Sequence, residues 1–364
     1  MAELRDEISI AGKTIELGQR RDVEIPVSES YSGSAVVIPI TVWRAPAPGP
    51  TLFVSAAVHG DELNGTGIVR ELILAAPFEL ITGSLVLIPV VNMLGLDRHQ
   101  RYLPDRRDLN RCFPGHPNGT PAARYAHAFF QSVVAQCDYG IDFHTAAVRR
   151  TNYPNVRADM ENPGARRLAR AFGCELIVGG KGPRGSLRRS ACAAGCPTII
   201  LEAGEVWKIE PSVVGCGVRG VANVLIDLGM IVGDWISPPY QAEIEETMWV
   251  RADVGGLLAF HIAPGDILKK GQAIATNSNL LGKEKTTLAS PVDGIVLGMT
   301  TLPVVTPGDP VCHIAVPPKG IAAIRRAWKK PSDESMHDRL RGDLATSLTI
   351  SNPTDSNHPT TKNT

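Results

Sequence analysis

Between residues 51 and 235, short and almost unbroken apolar runs alternate with segments of helix length, and that alternation restricts the fold more than any other feature. The runs are Leu52–Val58, Leu85–Val91, Tyr139–Phe143, Leu176–Val178 and Thr198–Leu201. The helix-length segments are Glu62–Ala75, Pro121–Gln136, Pro163–Phe172 and Pro211–Gly229. The last carries proline in its first turn and glycine at its end, the usual asymmetry of helix boundaries. Strands that are apolar on both faces must be covered on both faces, and helices that return the chain to the same edge make neighbouring strands parallel. The expected core is therefore α/β: a mostly parallel or mixed sheet flanked by helices.

The flanking segments read differently. Residues 1–50 show strand-type alternation, as in Thr14–Ile15–Glu16–Leu17 and Ala35–Val36–Val37–Ile38, and predict an N-terminal β segment packing on the core. The Pro/Ala-rich stretch Ala45–Pro50 reads as a spacer before the catalytic domain proper, residues 51–235. Residues 236–318 contain many short alternating runs broken by glycine and proline, such as GGLLAFHIAPGDILKKGQAIA and ASPVDGIVLG, which predict a smaller all-β domain. Residues 319–364 read as one short basic helix around Ile321–Lys330 and a polar, disordered tail.

Lys plus Arg and Asp plus Glu each number 37, so no global charge points to nucleic acid or a membrane surface. The opening MAELRDEISI lacks a secretory pattern, and no apolar run is long enough to span a bilayer. The seven cysteines are odd in number and lack CxxC spacing, which favours free thiols in a reducing compartment over a disulfide framework. The expected location is the cytoplasm, for a monomer or a homo-oligomer.

Three chemically capable side chains follow the ends of apolar runs: His59, His144 and Glu202. Ligands of open α/β sheets bind at the carboxyl ends of strands, so their joint position outweighs the bland reading of each alone. His59 and Glu62 form HxxE across a strand-to-helix turn, where Gly60 is expected to allow a sharp bend. With His144 they supply three ligands and leave one position open for water, the pattern of catalytic zinc at one ion per chain. Asp142, on the same strand face as His144, can orient its imidazole, with a solvated or helix-capping role as the alternative. Glu202 reads as the general base that takes a proton from water and hands it to a leaving amine. Glu205 is the alternative base, though a place behind the reacting groups or at a helix start suits it better. His99, His116, His127 and the Cys192–Cys196 pair have no partners at metal-binding spacing.

Local charge adds a substrate clue. Asp97–Arg111 holds five arginines against three aspartates, and Lys181–Arg189 holds four basic residues and no acid. Two basic loops on a neutral chain suit an anionic ligand, since the arginine fork binds carboxylates bidentately.

HGDELNG, RYLPDRRDLNRCFPG, DFHT, GSLRRSA and IILEAGE occur in an order that resembles the succinylglutamate desuccinylase/aspartoacylase family, within the wider zinc carboxypeptidase clan. The resemblance covers roughly residues 50–315. It implies a zinc-dependent deacylase of a small N-acyl amino acid, with His59, Glu62 and His144 as zinc ligands and Glu202 as the catalytic glutamate. It further implies that Arg101 polarises the carbonyl and that Asn110 and Arg111 bind the substrate carboxylate. One more substrate arginine is implied, for which Arg188 and Arg189 compete. The β-rich domain resembles the barrel-sandwich domains of biotinyl and lipoyl carriers. Lys283 lies where such a carrier is modified, but between Gly282 and Glu284 rather than in an MKM or DKA context, so an unmodified module is expected. Two other functions stay open: a zinc carboxypeptidase acting on a peptide or modified protein tail, and a catalytically inactive member that binds a metabolite.

Overall fold

The computed structural model describes residues 8–318, 320–328 and 344. The chain divides into two compact units, one of Met1–Ala147 with Pro154–Glu243 and one of Val148–Tyr153 with Ile244–Thr364.

The first unit opens with a hairpin of β1 (Ile8–Ile10) and β2 (Lys13–Ile15) and continues through β3 (Arg20–Glu29), β4 (Ala35–Arg44), β5 (Ala47–Ala56), α1 (Asn64–Ala75) and β6 (Thr82–Ile88). Next come α2 (Met93–Leu96), α3 (Pro121–Ser132), β7 (Tyr139–His144), β8 (Arg150–Ala158), which belongs to this unit from Pro154 onward, α4 (Pro163–Phe172) and β9 (Leu176–Gly179). It ends with α5 (Leu187–Ala193), β10 (Thr198–Gly204), α6 (Pro211–Asp227) and β11 (Ala242–Ile244). Strands follow the order β8-β10-β7-β5-β6-β4-β3. β10, β7, β5 and β6 are mutually parallel, while β4 and β3 join antiparallel. The fold is the mixed, helix-flanked α/β sheet that the alternation predicts.

Local signals set most boundaries. Thr120 and Asn162 cap α3 and α4 through their side-chain oxygens, each with proline at the first helical position. Gly173 ends α4 in the left-handed conformation. Three readings need correction. Ala45–Pro50 is not a spacer, because β5 begins at Ala47 and runs through the prolines. Strand β8 and helix α5 were not anticipated: β8 carries polar residues such as Asn152, Asn155 and Arg157, and α5 has only seven residues. The turn glycine also works differently from expectation. Gly60 is not among the residues with positive φ; a Cβ there would lie 2.1 Å from the Gly95 carbonyl carbon and 2.2 Å from the Leu96 nitrogen. Close backbone approach, not a special dihedral, demands glycine next to His59.

The second unit is all β. Glu246–Arg251, Pro310–Val316 and Gly294–Thr300 pair antiparallel, with Arg150–Asn152 along the last of these. A separate four-stranded antiparallel sheet contains Gly256–Phe260, Ala273–Ser278, Lys285–Ala289 and Val304–Val305. Val250, Phe260, Ile262, Leu268, Ile274, Val296 and Ile314 belong to one buried cluster. Lys283 is exposed in the Ser278–Lys285 hairpin. The basic helix is Ala322–Trp328, and the remainder of the expected tail, Leu344 apart, lies outside the described residues. No helix among the described residues is long and apolar enough to cross a membrane.

Two glycines separate packing from propensity. Gly60→Ala forces two backbone segments apart and should destabilise the protein by about 1–3 kcal/mol, as overpacking does. Gly215 is exposed on α6, where an added methyl would meet nothing within 4 Å, and alanine there should add about 0.5–1 kcal/mol of stability. Chemical denaturation of both variants measures the opposite signs.

Candidate metal centre and its surroundings

Three parallel strands bring the chemistry together. Ser55 on β5 and Ile200 on β10 both register with Asp142 on β7, and Glu202 registers with His144. His144 and Glu202 therefore lie side by side at the carboxyl ends of adjacent strands. The chain leaves β5 through a turn in which the Glu62 N–H donates to the His59 carbonyl at 3.2 Å. α1 starts two residues later, and Gly65 lets it sit against Phe143 and Ala56, whose Cβ atoms a methyl would meet at 2.5 and 2.9 Å. Asn64 clamps this turn to the loop after β10: its Oδ1 accepts from Glu210 N (2.7 Å) and its Nδ2 donates to Glu210 Oε2 (2.7 Å).

Glu62 is the buried hub. Its Oε1 receives His59 Nδ1 at 2.7 Å and Arg101 Nη1 at 2.9 Å. Its Oε2 receives His144 Nδ1 at 2.9 Å and the Thr145 N–H at 3.1 Å. Burial opposes ionisation of this carboxyl, but the two histidines outweigh it and hold Glu62 well below the usual carboxylate range. Burial likewise opposes charge on the imidazoles. Glu62 and Asp108 nevertheless raise His59, and Asp142 and Glu62 raise His144 well above its ordinary value.

The donor set fits a metal. Ligand atoms of His59, Glu62 and His144 lie within 4.8 Å of one another, and among the described residues they are the grouping that could hold an ion. Both Nδ1 atoms face the Glu62 carboxylate, while each Nε2 faces an outer acid: Asp108 Oδ1 at 3.1 Å for His59, Asp142 Oδ2 at 2.8 Å for His144. An outer acid that accepts Nε2–H leaves the Nδ1 lone pair free for a cation. Ser55 Oγ donates to Asp142 Oδ1 at 2.8 Å and fixes that carboxylate in turn.

The sequence reading missed Asp108. Besides His59, it approaches Arg101 Nη2 at 3.4 Å and Arg111 Nη1 at 3.9 Å, and its Oδ1 accepts from the Asn110 N–H at 2.8 Å. Burial raises its pKa, but the His59 hydrogen bond and the neighbouring cations bring it well below the usual range. Its signal lay in the DLNR motif, where only the last two residues drew attention. Asn110 is buried and uses Oδ1 to accept from Leu187 N at 2.8 Å, tying this loop to α5. Arg111 donates to the Asn110 carbonyl at 2.7 Å and is about half exposed, at 47%.

Around Glu202 the structure separates the remaining candidates. Arg157 Nε lies 3.7 Å from Glu202 Oε1, a second residue the sequence reading missed. Arg188 is buried on α5 with no hydrogen-bond partner for Nε or Nη1. Burial, with the Arg157 charge adding to it, holds this guanidinium below its ordinary range; Cys192, Glu202 and Asp159 offset that only in part. Arg189, by contrast, donates Nη1 to the Gly182 carbonyl at 3.1 Å. Glu205 pairs with Lys208 at 2.7 Å and lies in the loop before α6, not at the helix start, where Glu210 is the cap residue. Cys192 Sγ accepts from Thr198 N at 3.3 Å, so that thiol serves the β10 approach.

Comparison with known proteins places the catalytic unit in a family and matches its fold. The sequence model of the succinylglutamate desuccinylase/aspartoacylase catalytic domain matches residues 48–228. The chain is 27% identical over 267 residues to the N-alpha-acetyl-L-2,4-diaminobutyric acid deacetylase of Halomonas elongata, covering 70% of this chain and 78% of that one. A succinylglutamate desuccinylase/aspartoacylase structure from Rhodobacter sphaeroides superposes with a TM-score of 0.69 at 26% identity, over 83% of this chain and 97% of that one. The product-bound ectoine utilization protein EutE (DoeB) of Ruegeria pomeroyi shares the fold, with a TM-score of 0.71 at 24% identity and the same coverage. Residues 48–228 belong to the succinylglutamate desuccinylase/aspartoacylase family as its catalytic domain.

The outer acids carry a prediction. Asp108→Asn keeps the shape but weakens the hold on His59 Nε2–H, so affinity for a divalent metal should fall about 10- to 100-fold. Because both imidazoles bind protons more tightly than an ordinary histidine of about 6.5, protons should compete with the metal from neutral pH downward. Competition with a chromophoric chelator at pH 6, 7 and 8 measures both effects.

Proposed function

We propose that this chain is a zinc-dependent hydrolase that removes the acyl group from a small N-acyl amino acid, with His59, Glu62 and His144 as ligands of one zinc ion. The observation that carries the reading is the buried His–Glu–His cluster with an acid, Glu202, in strand register beside His144. The family of the catalytic domain and the named deacetylase activity of the Halomonas elongata relative support it. The chemistry that zinc supplies in a three-ligand site is Lewis acidity, which polarises an amide carbonyl and acidifies a water molecule.

The side chains divide the remaining work. Glu202 takes a proton from the attacking water and passes it to the leaving amine nitrogen, so the amide yields a carboxylic acid and an amino acid. Arg101, already against the Glu62 carboxylate, meets negative charge that grows on the carbonyl oxygen. Asn110 and Arg111 receive the free α-carboxylate of the amino acid. Asp142 and Asp108 keep the two imidazoles in the tautomer that offers Nδ1. Arg188, with unsatisfied donors, is the further substrate arginine, while Arg189 steadies the Gly182 loop. Glu205 is occupied by Lys208 and is not the base. Seven free thiols suit a cytoplasmic enzyme.

Glu202→Gln tests the division. It cannot accept a proton, so turnover of N-acyl amino acids should fall about 100-fold or more while bound zinc stays at the parent level. Glu205→Gln should cost much less. Turnover by Glu202→Gln close to the parent rate would remove Glu202 from the mechanism.

A further inference from the structure

Trp207 lies in the loop between β10 and α6, in a conformation that a bulky residue rarely adopts. Its φ is 58°, in the left-handed region, yet the residue is 54% exposed, so burial in a core does not explain it. What the conformation achieves is two hydrogen bonds to two different segments. The backbone N–H donates to the Asp61 carbonyl at 2.8 Å, and the indole Nε1–H donates to the His99 carbonyl at 3.3 Å. Asp61 immediately precedes Glu62, the buried hub. His99 stands two residues before Arg101, whose guanidinium donates to Glu62 Oε1 at 2.9 Å. His99 is itself left-handed, with φ 51°, so a residue of disfavoured backbone sits at each end of the indole bond. The loop of Trp207 has firm support of its own. The Glu205 N–H donates to Glu210 Oε2 at 3.0 Å, and Ile209 packs on α1 so closely that a Cβ on Gly67 would come within 2.6 Å of its Cγ2. One tryptophan thus joins the segment that follows Glu202 to the turn of Glu62 and to the loop of Arg101.

We propose that Trp207 is a positioning residue, which holds the loop of Arg101 in the place from which that guanidinium meets the carbonyl oxygen of the substrate. The inference rests on the deacylase reading of the same site, since Arg101 has this task only there. An arginine side chain 27% exposed on a loop loses much freedom when it is fixed, and a contact made in the transition state is worth most when its donor is already in place. Glu62 and Asp108 orient the guanidinium, and Asn92 Nδ2 reaches the Arg101 carbonyl at 3.4 Å. Trp207 secures the backbone two residues upstream and ties it to the strand that carries Glu202. Glycine would suit the left-handed backbone better, but it has no N–H to offer the His99 carbonyl beyond its own main chain. A disfavoured dihedral retained at an exposed residue is therefore explained by what the indole reaches.

The experiment uses the full zinc-loaded chain and whichever compound it turns over fastest in a panel of N-acetyl and N-succinyl amino acids. Trp207→Phe keeps the ring and the backbone bond and removes only the indole N–H. Its kcat should fall about 10-fold with KM within about twofold of the parent, the split expected when a transition-state contact is loosened. In an Arg101→Ala background the same change should alter kcat by less than about twofold, because both act through one group. Trp207→Gly relieves the left-handed backbone. Its denaturation midpoint should not drop below the parent's, while its kcat falls at least as far as that of Trp207→Phe; a merely structural tryptophan would lose stability and rate together. Hydrogen exchange reads the loop without turnover. The amides of Arg98, His99 and Gln100 donate to the Gly95 and Leu96 carbonyls, and in Trp207→Phe they should exchange about 10-fold faster, with those of β5 unchanged. A parent-like kcat in Trp207→Phe overturns the proposal, as does a loss that multiplies in full with that of Arg101→Ala. Absence of hydrolysis across the panel overturns the deacylase reading instead. Loop exchange then decides the hold separately: faster exchange in Trp207→Phe supports it, and parent-like exchange removes it.

Discussion

Taking the Glu62 carboxylate out of water commits its neighbours to replace every hydrogen bond that water would have made. Four donors do so: His59 from the same turn, His144 and the Thr145 N–H from the end of β7, and Arg101 from the loop after α2. They lie as many as 83 residues from Glu62 in sequence, so the carboxylate is satisfied only when the turn, the sheet and the loop are all in place. Breaking such a buried charge cluster by removing one partner typically costs about 3–5 kcal/mol. The site is thus also a lock on the fold, and the same three side chains offer their Nδ1 and carboxylate atoms to a cation once the Nδ1 protons have left.

The layout around this hub grades exposure according to task. Side chains of the three cluster residues are 1–4% exposed, whereas Glu202 on the next strand is 17% exposed and Arg101 is 27% exposed. Groups proposed to hold the ion are shielded, whereas Glu202 and Arg101, proposed to act on the reacting atoms, are more accessible. Parallel pairing achieves this without special loops. β10, β7 and β5 end at one edge, register fixes Glu202 beside His144, and the adjacent Asp142 reaches the far nitrogen of the imidazole. Gly60 then allows the turn that carries the remaining ligands to lie directly on the Gly95–Leu96 backbone.

Much of this was legible in the residues themselves. Apolar runs located β5, β7 and β10, and the strand-end rule singled out His59, His144 and Glu202 because burial and topology leave few polar residues at those places. Proline at the first helical position, in Pro121, Pro163 and Pro211, marked helices that form there. Other features depend on distant partners and leave no local period. Asp108 gains its meaning from His59, 49 residues earlier, and Arg157 from Glu202 on another strand. Arg188 and Arg189 are equivalent as letters; α5 alone turns one into the buried interior and the other towards the Gly182 carbonyl. Ala47–Pro50 misled because prolines suggest a break, yet β5 tolerates them where its pairing with β6 is irregular, between Ala47 and Thr51.

The central claim is that the Glu62 hub is a zinc site on which hydrolysis depends. Its most direct test is to strip the protein of metal with a chelator, remove the chelator, and follow N-acyl amino acid hydrolysis as zinc is added back in substoichiometric steps. The account predicts negligible turnover in the stripped protein and a linear recovery that breaks at about one zinc per chain. Full turnover by the metal-free protein, or a recovery that ignores zinc altogether, would contradict it.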